Sequence, residues 1–175
     1  MAGKPILKEA WINLWWEDAA TVQVFPLSGL DFGQVATLNI APGATQDLHY
    51  KWDITQEIRV LTLVGHRHAW TTNFSSWIET PGKDAEIIYQ SFDWFDEPTY
   101  RYDSMADNPK PTDGVVTDGG KSGVLTLNPG DQLHFNCHIE FTDERATAVD
   151  SRQTPTEIGP LRFANQAFTA EMCIL

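Results

Sequence analysis

The chain has 175 residues, the length of one domain. Hydrophobic residues make up 42% and charged residues 21%, which supports a packed core and excludes a disordered chain. The 24 acidic residues outnumber the 12 basic ones, for a formal net charge of −12; that surface repels phosphate backbones, excluding nucleic acid but admitting cations, metal ions and neutral ligands. No apolar run of about 18 residues is available to span a membrane as a helix.

Taken in chain order, Met1 to Lys8 is short and mixed, without the apolar core of a secretory signal. Trp11 to Trp16 (WINLWW) reads as a buried strand and Thr21 to Phe25 as the next. Val35 to Ile40 is a third, closed by the turn Ala41-Pro42-Gly43. Leu48, Tyr50 and Trp52 alternate with polar residues, as a half-buried strand does. Ile58 to Trp70 is a long β-branched run interrupted only by Gly65. Glu86 to Phe92 is a further strand. Asp103 to Gly123 is rich in Asp, Gly and Pro and reads as a long surface loop. Val124 to Leu127 leads into the turn Asn128-Pro129-Gly130-Asp131. Leu133, Phe135, Cys137, Ile139 and Phe141 then alternate cleanly, and a last strand begins near Ala170. No helical stripe extends over three turns. Short strands punctuated by Pro and Gly predict an all-β fold, a jelly-roll-like antiparallel β-sandwich, with residues 1–175 as a single domain.

His66-Arg67-His68 is the sharpest chemical signal. Residues i and i+2 of a strand share a face, so both imidazoles can address one point. Imidazole suits zinc, copper, iron and nickel. His134 and His138 sit opposite the apolar face of their strand; at i and i+4 they lie about 13 Å apart, too far for one ion, and read as exposed polar-face histidines. Cys137 and Cys173 either form a disulfide or remain buried thiols. Met172 is either a core gap-filler or a soft third ligand beside the histidine pair, and two imidazoles with a thioether favour copper over zinc. Asp93, Asp96 and Glu97 read as a solvated turn. Asp103, Asp107, Asp113 and Asp118 do not match a calcium-loop spacing. Asn73-Phe74-Ser75 is a glycosylation sequon.

In order, the chain carries His66-Arg67-His68, Tyr89-Gln90-Ser91-Phe92-Asp93-Trp94, Pro98 to Tyr102 (PTYRY), Gly130-Asp131, Cys137 and Glu171-Met172-Cys173. This set resembles the C-terminal domain of the type II, ascorbate-dependent copper monooxygenases, the peptidylglycine α-hydroxylating monooxygenase and dopamine β-hydroxylase group, in its bacterial branch. The resemblance is strongest over residues 58–175. It implies a jelly-roll sandwich that binds one copper through His66, His68 and Met172 and carries a Cys137–Cys173 disulfide. It also implies hydroxylation of a C–H bond of a small-molecule or peptide-like substrate, with ascorbate as external reductant. The second electron would come from a separate electron-transfer copper domain, for which this chain has no room. The family's acidic residue two places before the methionine is Ala170 here. Copper and a disulfide together imply an extracellular, periplasmic or cell-surface location, with a leader removed. Two readings stand beside this one. One is a metal-free jelly-roll module that recognises glycan or protein through exposed aromatics. The other is a zinc hydrolase, which needs a third ligand and a general base, supplied by His49 or an acid.

Overall fold

The computed structural model describes residues 38–60, 62–95, 97–102, 116–117 and 125–174. The strands expected at Trp11 to Trp16 and Thr21 to Phe25 lie outside these residues, as do Asp103, Asp107, Asp113 and Asp118. The described strands are β1 (Asn39–Ile40), β2 (Thr45–Asp53), β3 (Ile58–Val60), β4 (Thr62–Leu63), β5 (His66–Arg67), β6 (Thr71–Glu79), β7 (Glu86–Ser91), β8 (Tyr100–Arg101), β9 (Val116–Thr117), β10 (Leu125–Leu127) and β11 (Gln132–Glu140). Two short helices follow, α1 (Asp143–Ala148) and α2 (Pro155–Ile158), and then β12 (Leu161–Arg162) and β13 (Cys173–Ile174). The fold is all-β, antiparallel and sandwich-like.

One layer is a five-stranded sheet in the order β2-β11-β6-β7-β9. Its inner face follows from alternation. Cys137 of β11 pairs with Leu48 of β2 on one side and Phe74 of β6 on the other. Phe135 packs on Tyr50 at 4.8 Å between ring centroids and stacks with Phe74 at 6.0 Å. Four short antiparallel pairs, β1–β12, β3–β10, β4–β8 and β5–β13, accompany this sheet. Cys137 and Cys173 form a disulfide, with 6.1 Å between their Cα atoms. The bridge therefore ties the central strand β11 to β13, the partner of β5. Its 36-residue separation corresponds to about 3–4 kcal/mol in the loop-closure account.

Several expectations are corrected. The run from Ile58 to Trp70 is three short strands, because each piece pairs with a different partner: β3 with β10, β4 with β8, and β5 with β13. Strand β6, a central member of the main sheet, falls in a segment assigned to no strand from sequence. Its inward positions include Ser76, whose hydroxyl donates to His134 O at 2.7 Å, so the apolar alternation is broken. Val116–Thr117 pairs with β7 inside the segment expected to be a loop. The two helices are six and four residues long, too short for a stripe, and are set by caps. Thr142 caps α1, and Thr154 and Glu157 form a reciprocal capping box on α2.

The turn after β10 matches its expectation. Gly130 has φ 96°, a conformation that favours glycine. Asp131 accepts from Asn128 N at 2.7 Å and from the Thr80 hydroxyl at 2.8 Å.

Candidate metal centre

Strand β5 begins directly after Gly65. A Cβ at Gly65 would lie 2.5 Å from Cδ1 of Phe74, a ring with no exposure. Glycine lets this backbone lie against the sheet, and alternation then sets the next three residues. Arg67 points inward and is 1% exposed. His66 and His68 turn the other way, toward a cleft of about 460 Å³. Their ring centroids are 5.4 Å apart, edge to face.

Met172 reaches the same cleft from β13. The register pairs Cys173 with Arg67 and Ile174 with His66, which brings Met172 across from His68. The cleft is lined by His66, Arg67, His68 and Met172 together with Trp94, Phe95, Glu97, Asn165 and Ala167. The structure thus brings together the three residues singled out as ligands.

The histidine nitrogens are differentiated. His66 Nδ1 lies 3.3 Å from Glu97 Oε2. A carboxylate only accepts, so Nδ1–H is the donor. The same carboxylate raises the His66 pKa against the opposing effect of burial. His68 Nδ1 donates to Ala170 O at 3.2 Å, and burial is the main cause of its lowered pKa. In each ring Nε2 is the nitrogen left for the cleft. A histidine whose other N–H is given to a carboxylate or a backbone carbonyl has its tautomer and ring orientation fixed for metal binding.

Glu97 is no solvated turn residue. Its Oε1 accepts from Arg67 N at 2.7 Å, and its side chain is mostly covered. The Arg67 guanidinium donates to Ser91 Oγ at 2.6 Å and to Asp93 O, locking β5 to the turn that carries Trp94 and Glu97. Burial lowers the Arg67 pKa. Arg145 of α1 donates to Ala69 O at 2.8 Å and Thr71 O at 3.2 Å, just beyond His68.

Glu171 is fully buried; from sequence it was named only within Glu171-Met172-Cys173, with no role of its own. Its Oε1 accepts from His68 N at 2.5 Å and from Met172 N at 2.9 Å. One carboxylate oxygen therefore holds the main chain at two of the three candidate ligand positions. Burial pushes its pKa up to about 7, partly offset by these N–H groups and by the neighbouring Thr71 and Trp70.

The other histidines lie elsewhere. His49 Nε2 and His134 Nδ1 are 2.9 Å apart, and both rings lie beside Trp77 on the outer face of the main sheet. His134 is 4% exposed, a correction to the expected exposed histidine, because Trp77 on β6 and His49 on β2 both lie against its ring. His138 is partly exposed and pairs with Asp47 at 2.9 Å. His49 is absent from the lining of the His66–His68 cleft, so it does not supply the third ligand that a zinc hydrolase would need. No group of three or more His, Cys, Asp or Glu side chains placed to hold a metal occurs among the described residues. The set in the cleft has a thioether as its third member. Two imidazoles and a thioether form a donor set suited to a soft transition-metal ion.

No protein-family model matches the chain, and no curated protein matches it. Among the described residues no helix is long and apolar enough to cross a membrane.

Proposed function

We propose that the chain is the mononuclear copper domain of a copper-dependent, ascorbate-reduced monooxygenase-type protein, acting with a separate electron-transfer copper domain. The observation that carries this reading is the cleft itself. His66 and His68 each have Nδ1 committed to an acceptor, and both rings share the cleft with Met172. Copper held there supplies one-electron chemistry with O2, which these side chains alone do not.

The chain's own residues do the positioning. Glu97 holds the His66 ring and, through Arg67 N, the strand that bears it. Ala170 O holds the His68 ring, and Glu171 fixes the main chain at His68 and Met172. Trp94 and Phe95 line the cleft and present apolar surface where a substrate C–H bond would approach. The disulfide supports an oxidising compartment, extracellular or periplasmic.

The test is copper stoichiometry after loading with Cu(II) and dialysis. The parent retains about one copper per chain. The His66→Ala/His68→Ala variant retains none, and equal uptake by that variant would overturn the proposal.

A metal-free binding module is the second reading. Its support is Trp52, 47% exposed on edge strand β2. It predicts retention on immobilised glycans that Trp52→Ala abolishes.

A further inference from the structure

The mouth of the cleft is aromatic. Trp94 meets Phe95 at 5.6 Å and Phe168 at 5.4 Å between ring centroids, both edge to face. Phe95 is 82% exposed, an unusual state for a ring of that size. These rings sit on anchored backbone. Phe95 N donates to Asp93 Oδ1 at 2.8 Å, and Arg67 grips Asp93 O from inside. On the opposite side, Trp70 Nε1 donates to Phe168 O at 3.1 Å, and Ala69 N donates to Ala167 O at 3.1 Å. Aromatic surface held ready in this way loses little freedom when a ligand covers it.

Charge narrows the class of ligand. Among the described residues Arg67 is the only Lys or Arg lining the cleft, and its guanidinium is buried and bonded to Ser91, Asp93 and Gly65. The cleft therefore offers no accessible Lys or Arg to an anion among the described residues. Its carboxylate, Glu97, is already engaged by Arg67 N and His66, which leaves little to draw in a cation. The polar groups left to a ligand are the Asn165 amide and the Nε2 atoms of His66 and His68, and a net charge of −12 adds a general bias against anions. A volume of about 460 Å³ suits a small molecule.

We infer that this cleft takes an uncharged molecule bearing a planar apolar ring, which lies against Trp94 and Phe95 with the rest of the molecule directed to His66, His68 and Met172. Its standing as a substrate rests on the copper reading of those three residues. Its standing as a ligand does not.

The experiment is calorimetric titration of EDTA-treated protein at pH 7 with 2-naphthol and, separately, with 2-naphthoate and 2-naphthylmethylammonium, with copper uptake measured on the same preparations. 2-Naphthol is expected to bind at one site per chain, with each charged analogue at least about tenfold weaker. Phe95→Ala weakens 2-naphthol about tenfold, the usual loss for a central aromatic contact, and the exposure of Phe95 spares the fold. Phe92→Ala, exposed but outside the cleft lining, leaves binding unchanged. The inference is overturned if 2-naphthol does not bind, if Phe95→Ala has no effect, or if either charged analogue binds as tightly. It is also overturned if Phe95→Ala only dissolves a dimer seen by sedimentation. Intact copper uptake without 2-naphthol binding overturns this inference and leaves the copper proposal standing. Binding of 2-naphthol without copper uptake supports the ring site and removes the copper proposal.

Discussion

Replacing Glu171 with Gln makes a buried carboxylate permanently neutral without changing its shape. Gln Oε1 can still accept from His68 N and Met172 N. The folded-state pKa of Glu171 is raised from 4.5 to about 7, so between those values the folded chain binds more proton than the unfolded chain. Its stability must then fall as pH rises through that window. The gap is worth about 3 kcal/mol at about 1.36 kcal/mol per pH unit. That contribution is complete below pH 4.5 and gone above about 7. Glu171→Gln removes the dependence. The two proteins should be equally stable at pH 4.5, and the variant more stable at pH 8 by up to about 3 kcal/mol. Urea unfolding across this range, with EDTA present, measures the difference directly, and other titrating groups cancel in the comparison. Parallel pH profiles for the two proteins, or a variant less stable at pH 8, would refute the account of Glu171 as a carboxylate held against its charge.

Three further outcomes follow from the same geometry. Gly65→Ala drives a Cβ into the buried Phe74 ring, costing about 1–3 kcal/mol by overpacking; the urea midpoint falls, and copper stoichiometry falls with it because β5 is displaced. Glu97→Gln keeps the shape but weakens the acceptor for His66 Nδ1, and copper affinity by competition with a chelator drops about 10–100-fold while the urea midpoint changes little. Reducing the Cys137–Cys173 bridge lowers stability by about 3–4 kcal/mol, read as a shift in urea midpoint with and without a phosphine reductant; an unchanged midpoint would contradict the cross-link's role in holding β13 to β11.

What the sequence discloses depends on how far apart in the chain the contacts lie. The reading of Glu86 to Phe92 as a strand covers β7. Alternation located β2 and β11, because in each an apolar face meets the core within a few residues. It missed β6, where Asn73, Ser75 and Ser76 hide a strand whose buried ring, Phe74, sits between Cys137 and Ser91. The i, i+2 spacing of His66 and His68 was a local signal, and the structure places both rings on one cleft. Met172 joins them only through the β13–β5 register, which spans more than a hundred residues. Glu97 looked like a solvated turn residue, and Arg67 carried no reading of its own; their burial follows from hydrogen bonds made some thirty residues apart. Glu171 stood in the sequence only as part of Glu171-Met172-Cys173, and nothing near it shows that its carboxylate will be enclosed. Its position between the cysteine-bearing strand and the histidine pair is a tertiary fact.

The central claim is that a metal in this cleft is bound by two imidazoles and the Met172 thioether. X-ray absorption at the copper edge, on loaded protein reduced with ascorbate, tests it most directly. The account predicts about one copper per chain with a sulfur scatterer and two imidazole shells, and loss of the sulfur scatterer alone in Met172→Ala. A spectrum without sulfur in the parent, or one that Met172→Ala leaves unchanged, would contradict it.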